Sequence, residues 1–322
     1  MKEKILQILS GRKGSCVSGQ EISEKLGVSR TAVWKHIKNM QQQGYPIRST
    51  SGKGYLIEAG HSFLIPEEIK NNLRTQRIGK QITVFTTVDS TNNWARKFCD
   101  QLEHGSVIVS EEQTEGKGRR GKAWTSPKGE GLWFTLFLKP AFSVERAGFT
   151  TQLAAAAMWH AIHKMTGIRP EIKWPNDLLV DGRKICGILT ELSGELNQID
   201  FLMVGVGVNV NQEEFPPGLT DIASSIRREL GKPVDRTMLL AEFLNRFESF
   251  YNEFENHLSC ADAMEIIRAH SSVINQPIDI LKGQDQRAAI GRRILDNGNL
   301  EVQYENGERE ILSGGEVSVR NQ

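Results

Sequence analysis

The chain has 322 residues, 39% hydrophobic and 25% charged, with 40 basic residues against 39 acidic ones. It reads as soluble and globular, long enough for two or three domains, and any nucleic-acid contact must come from a local basic patch rather than a global field. Nowhere does an apolar run approach the roughly 18 residues of a membrane span, and Met1–Ser10 lacks a signal-peptide core, so a cytoplasmic protein with no membrane partner is expected.

Residues 1–65 are basic and helix-rich. Ile5, Leu6, Ile8 and Leu9 mark a short amphipathic helix. Ser18-Gly19-Gln20-Glu21 fits a capping box, in which serine and glutamate satisfy each other's free backbone N–H groups. The helix it opens should stop at Gly27, which suits a left-handed helix end. Ser29 should cap a third helix, Arg30–Gln43, with Val33, Ile37 and Met40 inward. Helix, tight glycine turn, helix is the helix-turn-helix layout. Arg30, Thr31, Lys35, His36 and Lys38 lie off the apolar stripe and suit phosphates and base edges. Tyr45–Ser49 and Gly54–Ile57 read as strands joined by Thr50-Ser51-Gly52-Lys53, a basic-tipped wing. The plain alternative is a three-helix bundle with a solvated charged face.

In the middle segment, a strand-like stretch Gln81–Val88 leads to Asp89-Ser90-Thr91-Asn92. Short hydroxyl and amide groups at a strand end suit a polar ligand headgroup, and equally a helix N-cap. Gly116-Lys117-Gly118-Arg119-Arg120-Gly121-Lys122 formally contains Gly-x-Gly-x-x-Gly. A dinucleotide loop needs a helix next, whereas Trp124, Ser126-Pro127 and Gly129–Gly131 follow, so that reading is set aside. Glycines still admit close approach of an anion, and the cations neutralise it; the loop should be mobile when empty, since it offers no apolar anchor. An ordinary exposed basic loop is the alternative.

Ala154–Ala157 marks a packing helix, so His160 and His163 are expected to be structural and no metal site is expected. Lys173-Trp174-Pro175-Asn176-Asp177 precedes Lys184 and Gly187, and Ile185–Leu192 and Phe201–Val210 read as buried strands. Lys184 then sits at the mouth of a sheet, either to stabilise an oxyanion or phosphate or merely exposed at a turn. In the tail, Pro277–Leu281, Arg287–Ile294, Leu300–Tyr304 and Glu308–Ser313 are candidate strands with Asn-Gly turns between them, suggesting a small barrel. Cys16, Cys99, Cys186 and Cys260 are scattered, without a Cys-x-x-Cys pair, and are expected reduced and buried.

Together, Ser90-Thr91-Asn92 after a strand, Gln113 before the glycine-basic loop, the Lys-Trp-Pro-Asn-Asp block and Lys184 resemble the biotin–protein ligases, in that family's order and spacing, over nearly the whole chain. The N-terminal segment makes the resemblance one to the bifunctional ligase/repressor type. It implies an α+β fold: a winged helix-turn-helix over 1–65, a mixed-sheet ligase domain over 66–271 and a small SH3-like β barrel over 272–322. It also implies that biotin is held by Ser90, Thr91, Asn92, Gln113, Lys117, Gly118, Arg119 and Lys184. Lys173, Asn176 and Asn209 would serve the nucleotide, with Gly207 and Glu213–Ser225 on the adenine side. Lys184, Asp177 and Arg119 would carry catalysis.

The implied reaction consumes biotin and ATP with Mg2+, forms biotinyl-5′-AMP and transfers biotin to a lysine of a biotin carboxyl carrier protein. Operator DNA and a ligand-promoted homodimer are the other implied partners. One departure stands out: Lys117 occupies a position where the family's most familiar loop, Gly-Arg-Gly-Arg, has arginine. A lipoate or octanoate ligase, or a ligand-sensing repressor without catalysis, are the competing functions.

Overall fold

A computed structural model describes residues 1–319 except 13, 43, 44, 46, 58–62, 196, 197, 283 and 284. Helices α1 (Lys2–Ser10), α2 (Gly19–Leu26) and α3 (Arg30–Gln42) pack with the antiparallel hairpin β1 (Ile47–Thr50) and β2 (Gly54–Ile57). Their core takes Ile5, Leu6, Leu9, Ile22, Val33, Ile37 and Met40 from the helical stripes that the spacing marked, with Ile8 and Leu26 only partly buried beside them, and adds Val17, Ile47 and Ile57. Ser18 Oγ accepts from Glu21 N at 3.0 Å and Ser29 Oγ from Ala32 N at 3.2 Å. Gly27 closes α2 at φ 66°, where a Cβ would be strained. The wing is fastened twice: Val17 and Tyr55 exchange backbone bonds at 2.8 and 2.9 Å, and Gln41 Nε2 donates to Ile47 O at 2.6 Å. Residues Ser51–Lys53 at its tip are exposed. Its first strand begins at Ile47 rather than Tyr45, because Tyr45 is drawn aside: its ring meets Phe63 at 4.9 Å and its Oη lies 2.9 Å from Thr86 Oγ1.

The chain crosses between cores at Phe63-Leu64-Ile65, the outer two side chains packing into the first core and Leu64 into the second. Helix α4 (Pro66–Asn71) follows. A seven-stranded sheet then runs in the order β3 (Ile82–Phe85), β4 (Ser106–Ser110), β5 (Leu132–Leu138), β9 (Gln198–Val208), β8 (Arg183–Glu195), β7 (Asp177–Val180), β6 (Glu171–Lys173). Only β3 and β4 are parallel, so the sheet is mixed. Strand β3 is shorter than the expected Gln81–Val88, since the chain turns after Phe85 and Val88 keeps only an isolated bridge to Gln113.

Alternation along the central strands puts Leu136, Leu138, Leu202 and Val204 on one face with the alanine-rich α6 (Ala147–Thr166) and α8 (Arg236–His257). Phe137 and Met203 face the other way, against α5 (Thr91–Lys97). With both faces covered, all of β5 is buried. Helices α7 (Ile226–Leu230) and α9 (Ala261–Ala269) complete the middle segment. On α6, His163 Nδ1 lies 3.2 Å from Ile168 O and His160 is 3.7 Å from Glu242, so the two rings look to different partners.

The tail is a five-stranded antiparallel sheet, ordered β13 (Arg309–Leu312), β12 (Leu300–Tyr304), β11 (Asp285–Ile294), β10 (Pro277–Lys282), β14 (Glu316–Val319). Strand β14 is one more than the sequence reading found. Cys186 and Cys260 are buried as expected, and burial pushes the Cys260 thiol up to about 12. Cys16 and Cys99 are only half-buried, a correction to that expectation. Among the described residues no helix is long and apolar enough to cross a membrane.

Candidate active site

On the α5 side of the sheet lies a cleft of about 520 Å³, within the range of small-molecule sites. At one end, Ser90 caps α5, its Oγ accepting from Asn93 N at 3.5 Å, so the N-cap reading holds for that residue. The next two side chains instead turn into the sheet. Thr91 N and Oγ1 donate to Gln113 Oε1 at 2.9 and 3.1 Å, and Gln113 Nε2 donates to Ser126 Oγ at 3.0 Å. Thr135 Oγ1 on β5 lies 2.8 Å from Thr91 Oγ1 and bonds Asn92 Oδ1. Asn92 Nδ2 donates to Glu191 Oε2 at 2.7 Å, and Arg96 holds the other oxygen of Glu191 at 2.7 Å. Each amide and hydroxyl is therefore oriented before any ligand arrives.

The floor is made by missing side chains. Gly205 and Gly207 are two apart on β9 and share a face, and Gly187 on β8 is paired with Gly207. A Cβ at Gly205 would come within 2.6 Å of Asn92 Oδ1; at Gly207 it would meet the Trp124 indole at 2.6 Å, and at Gly187 at 2.7 Å. Trp124 occupies that hollow, with its Nε1 buried and lacking a hydrogen-bond partner.

Cations from the basic loop and from the start of β8 line the same cleft. Lys184, second residue of β8, places Nζ 2.7 Å from Asp177 Oδ1 and 5.1 Å from the centre of the Trp124 ring. Lys117 Nζ donates to Asn93 Oδ1 at 2.7 Å, Arg119 Nη1 to Asn176 Oδ1 at 3.0 Å, and Arg120 Nη2 to Leu281 O at 3.1 Å. The basic loop thus has anchors that its composition conceals, Trp124 supplying the apolar one. Asn176 is buried, its amide donating to Ile188 O at 3.0 Å, and Gln152 holds the preceding Pro175 O at 2.9 Å. Asn209 Nδ2 donates to Ser224 O and Lys184 O at 3.0 and 3.3 Å, which ties the Lys184 main chain to the segment 213–225. Phe215, Pro216, Leu219 and Ile222 of that segment form an apolar wall.

Twelve residues singled out in the sequence thus line one cleft: Ser90, Thr91, Asn92, Gln113, Lys117, Gly118, Arg119, Lys173, Asn176, Asp177, Lys184 and Asn209. Arg30, Thr31, Lys35 and Lys38 lie elsewhere, all exposed on α3. Trp124, Thr135, Glu191 and Val317 of the tail sheet were missed. The alternating glycines at 205 and 207 in an apolar strand were the one legible sign of a hollow. Among the described residues, no three His, Cys, Asp or Glu side chains gather to hold a metal.

A cleft lined by oriented hydrogen-bonding groups and cations, in a chain that also carries an N-terminal winged helix, defines a small-molecule-binding domain joined to a DNA-binding type of domain. Comparisons with known proteins specify it. Residues 83–211 match the biotin/lipoate A/B protein ligase family and residues 2–56 an HTH domain. The bifunctional ligase/repressor BirA of Bacillus subtilis is 35% identical over 260 residues, covering 80% of each chain. That of Escherichia coli is 27% identical over 99% of this chain and 97% of its own. The biotin protein ligase of Aquifex aeolicus, solved with biotin and ATP, superposes with a TM-score of 0.66 at 27% identity, over 76% of this chain and 100% of that one. The chain belongs to the biotin protein ligase family, among its bifunctional ligase/repressors.

Proposed function

We propose that this cleft joins biotin to ATP and passes the biotinyl group to a lysine of a biotin carboxyl carrier protein, while residues 1–65 repress transcription by binding operator DNA. One observation carries the reading: oriented amides and hydroxyls line a single cleft together with Lys184 and the basic loop. Ser90, Thr91, Asn92 and Gln113 hold the ureido ring, and the valeryl chain runs along Trp124, whose indole fills the space over Gly187 and Gly207. The biotin carboxylate then attacks the α-phosphorus of ATP, and pyrophosphate leaves. Lys184, kept in place by Asp177, stabilises the negative charge that builds between carboxylate and phosphate. Lys117, Gly118 and Arg119 cover the mixed anhydride against water. Lys173, Asn176 and Asn209 serve the nucleotide, with the apolar wall beside adenine. In the second step a carrier lysine amine attacks the acyl carbon, AMP leaves and the amine loses a proton.

Mg2+, when bound with ATP, would neutralise charge on its phosphates. With Asp177 paired to Lys184, the donor set suits an ion that keeps its waters and phosphate ligands rather than a protein cage. We place the domains at 1–65, 66–271 and 272–322, the last a small SH3-like β barrel, of which Val317 lines the cleft.

Incubation with biotin, ATP and a carboxyl carrier domain tests the reading. A covalent label on the carrier is expected; label from lipoate or octanoate instead, or none at all, overturns it. Deleting residues 1–65 should abolish DNA binding and leave ligation measurable, because the cleft lies beyond them; a folded truncate with no ligation would refute that boundary. Operator affinity and sedimentation mass should both rise with biotin plus ATP, since a two-fold dimer reads a palindrome where one winged helix reads half. Equal values with and without ligand would sink the homodimer.

The lysine at 117 has its own signature. Lysine keeps the charge of the family's arginine but not its planar fork. Release of biotinyl-AMP should slow in Lys117→Arg and speed up in Lys117→Ala, the Lys–Arg difference being on the order of 1 kcal/mol, one ordinary hydrogen bond. Stopped-flow release rates decide it, and retention by the alanine variant equal to the parent's would take Lys117 out of the site.

A further inference from the structure

Trp34 on α3 has no role in anything derived so far. Its side chain is 49% exposed, and it is the only aromatic among the exposed large apolar residues of the described chain. The inward stripe of α3 is Val33, Ile37 and Met40, so the indole is not a core residue out of place. It stands one turn after Arg30 and one turn before Lys38, whose Nζ lies 4.8 Å from the ring centre. Seven residues on, Gln41 bonds to β1, so Trp34 occupies the flank of α3 that looks toward the wing.

We infer that Trp34 is a sequence-reading residue, packing its indole on the 5-methyl group of a thymine in the major groove. The inference rests on the reading of residues 1–65 as operator-binding. The thymine methyl is the apolar feature of that groove, and it is what an uncharged ring can select. Arg30, Lys35 and Lys38 around the ring match flanking phosphates and supply affinity without sequence preference. The same cations disfavour burying the ring against a second copy of this face, where like charges would meet.

The test uses the full-length protein with biotin and ATP. Selection from randomised duplexes defines its preferred site, and each thymine is then replaced by deoxyuridine, which removes only the methyl. One or two positions should lose about fourfold in affinity, the worth of one buried methyl-sized group. Trp34→Ala should weaken the selected site on the order of tenfold, a single-contact loss, and be blind to the same uridines. Its ligation rate and salt slope should stay unchanged, since no charge is removed. Uridine sensitivity that persists in Trp34→Ala, or that is absent from the parent, overturns the assignment while leaving operator binding intact. A changed sedimentation mass of DNA-free Trp34→Ala would make the ring a contact between copies and also overturn it. If the parent selects no sequence at all, the operator-binding reading fails first and the inference with it.

Discussion

Replacing Lys184 with alanine should lower the rate of biotinyl-AMP formation by roughly 10²- to 10³-fold, the loss typical of removing one preorganised group aimed at developing charge. The geometry makes the residue more than a cation near a cleft. Its backbone is pinned on both sides, Lys184 N donating to Ile222 O at 2.8 Å and Ser224 N to Lys184 O at 3.1 Å. Its ammonium is fixed by Asp177 at 2.7 Å and backed by the Trp124 ring. Little reorganisation is then needed when the carboxylate attacks. Pyrophosphate exchange in the presence of biotin reads this step without the carrier protein. Biotin binding should change much less than the rate, because the contacts proposed for the ureido ring are made by Ser90, Thr91, Asn92 and Gln113. A variant that exchanges pyrophosphate at the parental rate would remove Lys184 from the mechanism.

The second large effect concerns stability. Arg236 is fully buried, and its Nη1 donates to Glu111 Oε2 at 2.7 Å and Gly131 O at 3.0 Å. The other oxygen of Glu111 accepts from Leu64 N at 2.9 Å, and the neighbouring Thr237 Oγ1 donates to Phe63 O at 3.2 Å. The segment between the first two cores is thus held by a carboxylate that depends on one guanidinium. Arg236→Met leaves that carboxylate buried and unpaired, which should destabilise the central domain by about 3–5 kcal/mol. The double variant Arg236→Met/Glu111→Leu should recover most of this, since an apolar pair replaces an ion pair at small net cost, although Leu64 N loses its acceptor. Urea unfolding of the central domain measures both. A single variant as stable as the parent would show that the pair carries no such weight.

How much of this was legible beforehand depended on distance along the chain. The second and third helices announced themselves through Ser18, Gly27 and Ser29, whose partners lie within a few residues. Lys184 and the basic loop were visible as residue types out of keeping with their apolar surroundings. The direction in which Thr91 and Asn92 point was not, because Thr135 and Glu191 hold them from 43 and 99 residues away in the case of Asn92. For the same reason Ser90-Thr91-Asn92 could be read as a cap or as a ligand site, and in the folded chain Ser90 is the cap and all three residues line the cleft. Strand β14 escaped notice because it pairs with β10, across the tail sheet, rather than with the strand before it. The Glu111–Arg236 pair joins residues 125 apart and carries no local signature at all.

The hollow formed by Gly187, Gly205 and Gly207 bears on how this protein tolerates change. A side chain that touches a ligand can often be exchanged for one of similar shape, with partial loss. A position whose function is to leave room for a neighbouring side chain offers no such exchange, since even alanine would bring a methyl within 2.6 to 2.7 Å of Asn92 or Trp124. In a saturation scan, the narrowest spectrum of accepted residues within the cleft should therefore fall on these three glycines rather than on the charged residues around them, and that spectrum would trace the outline of the sheet floor.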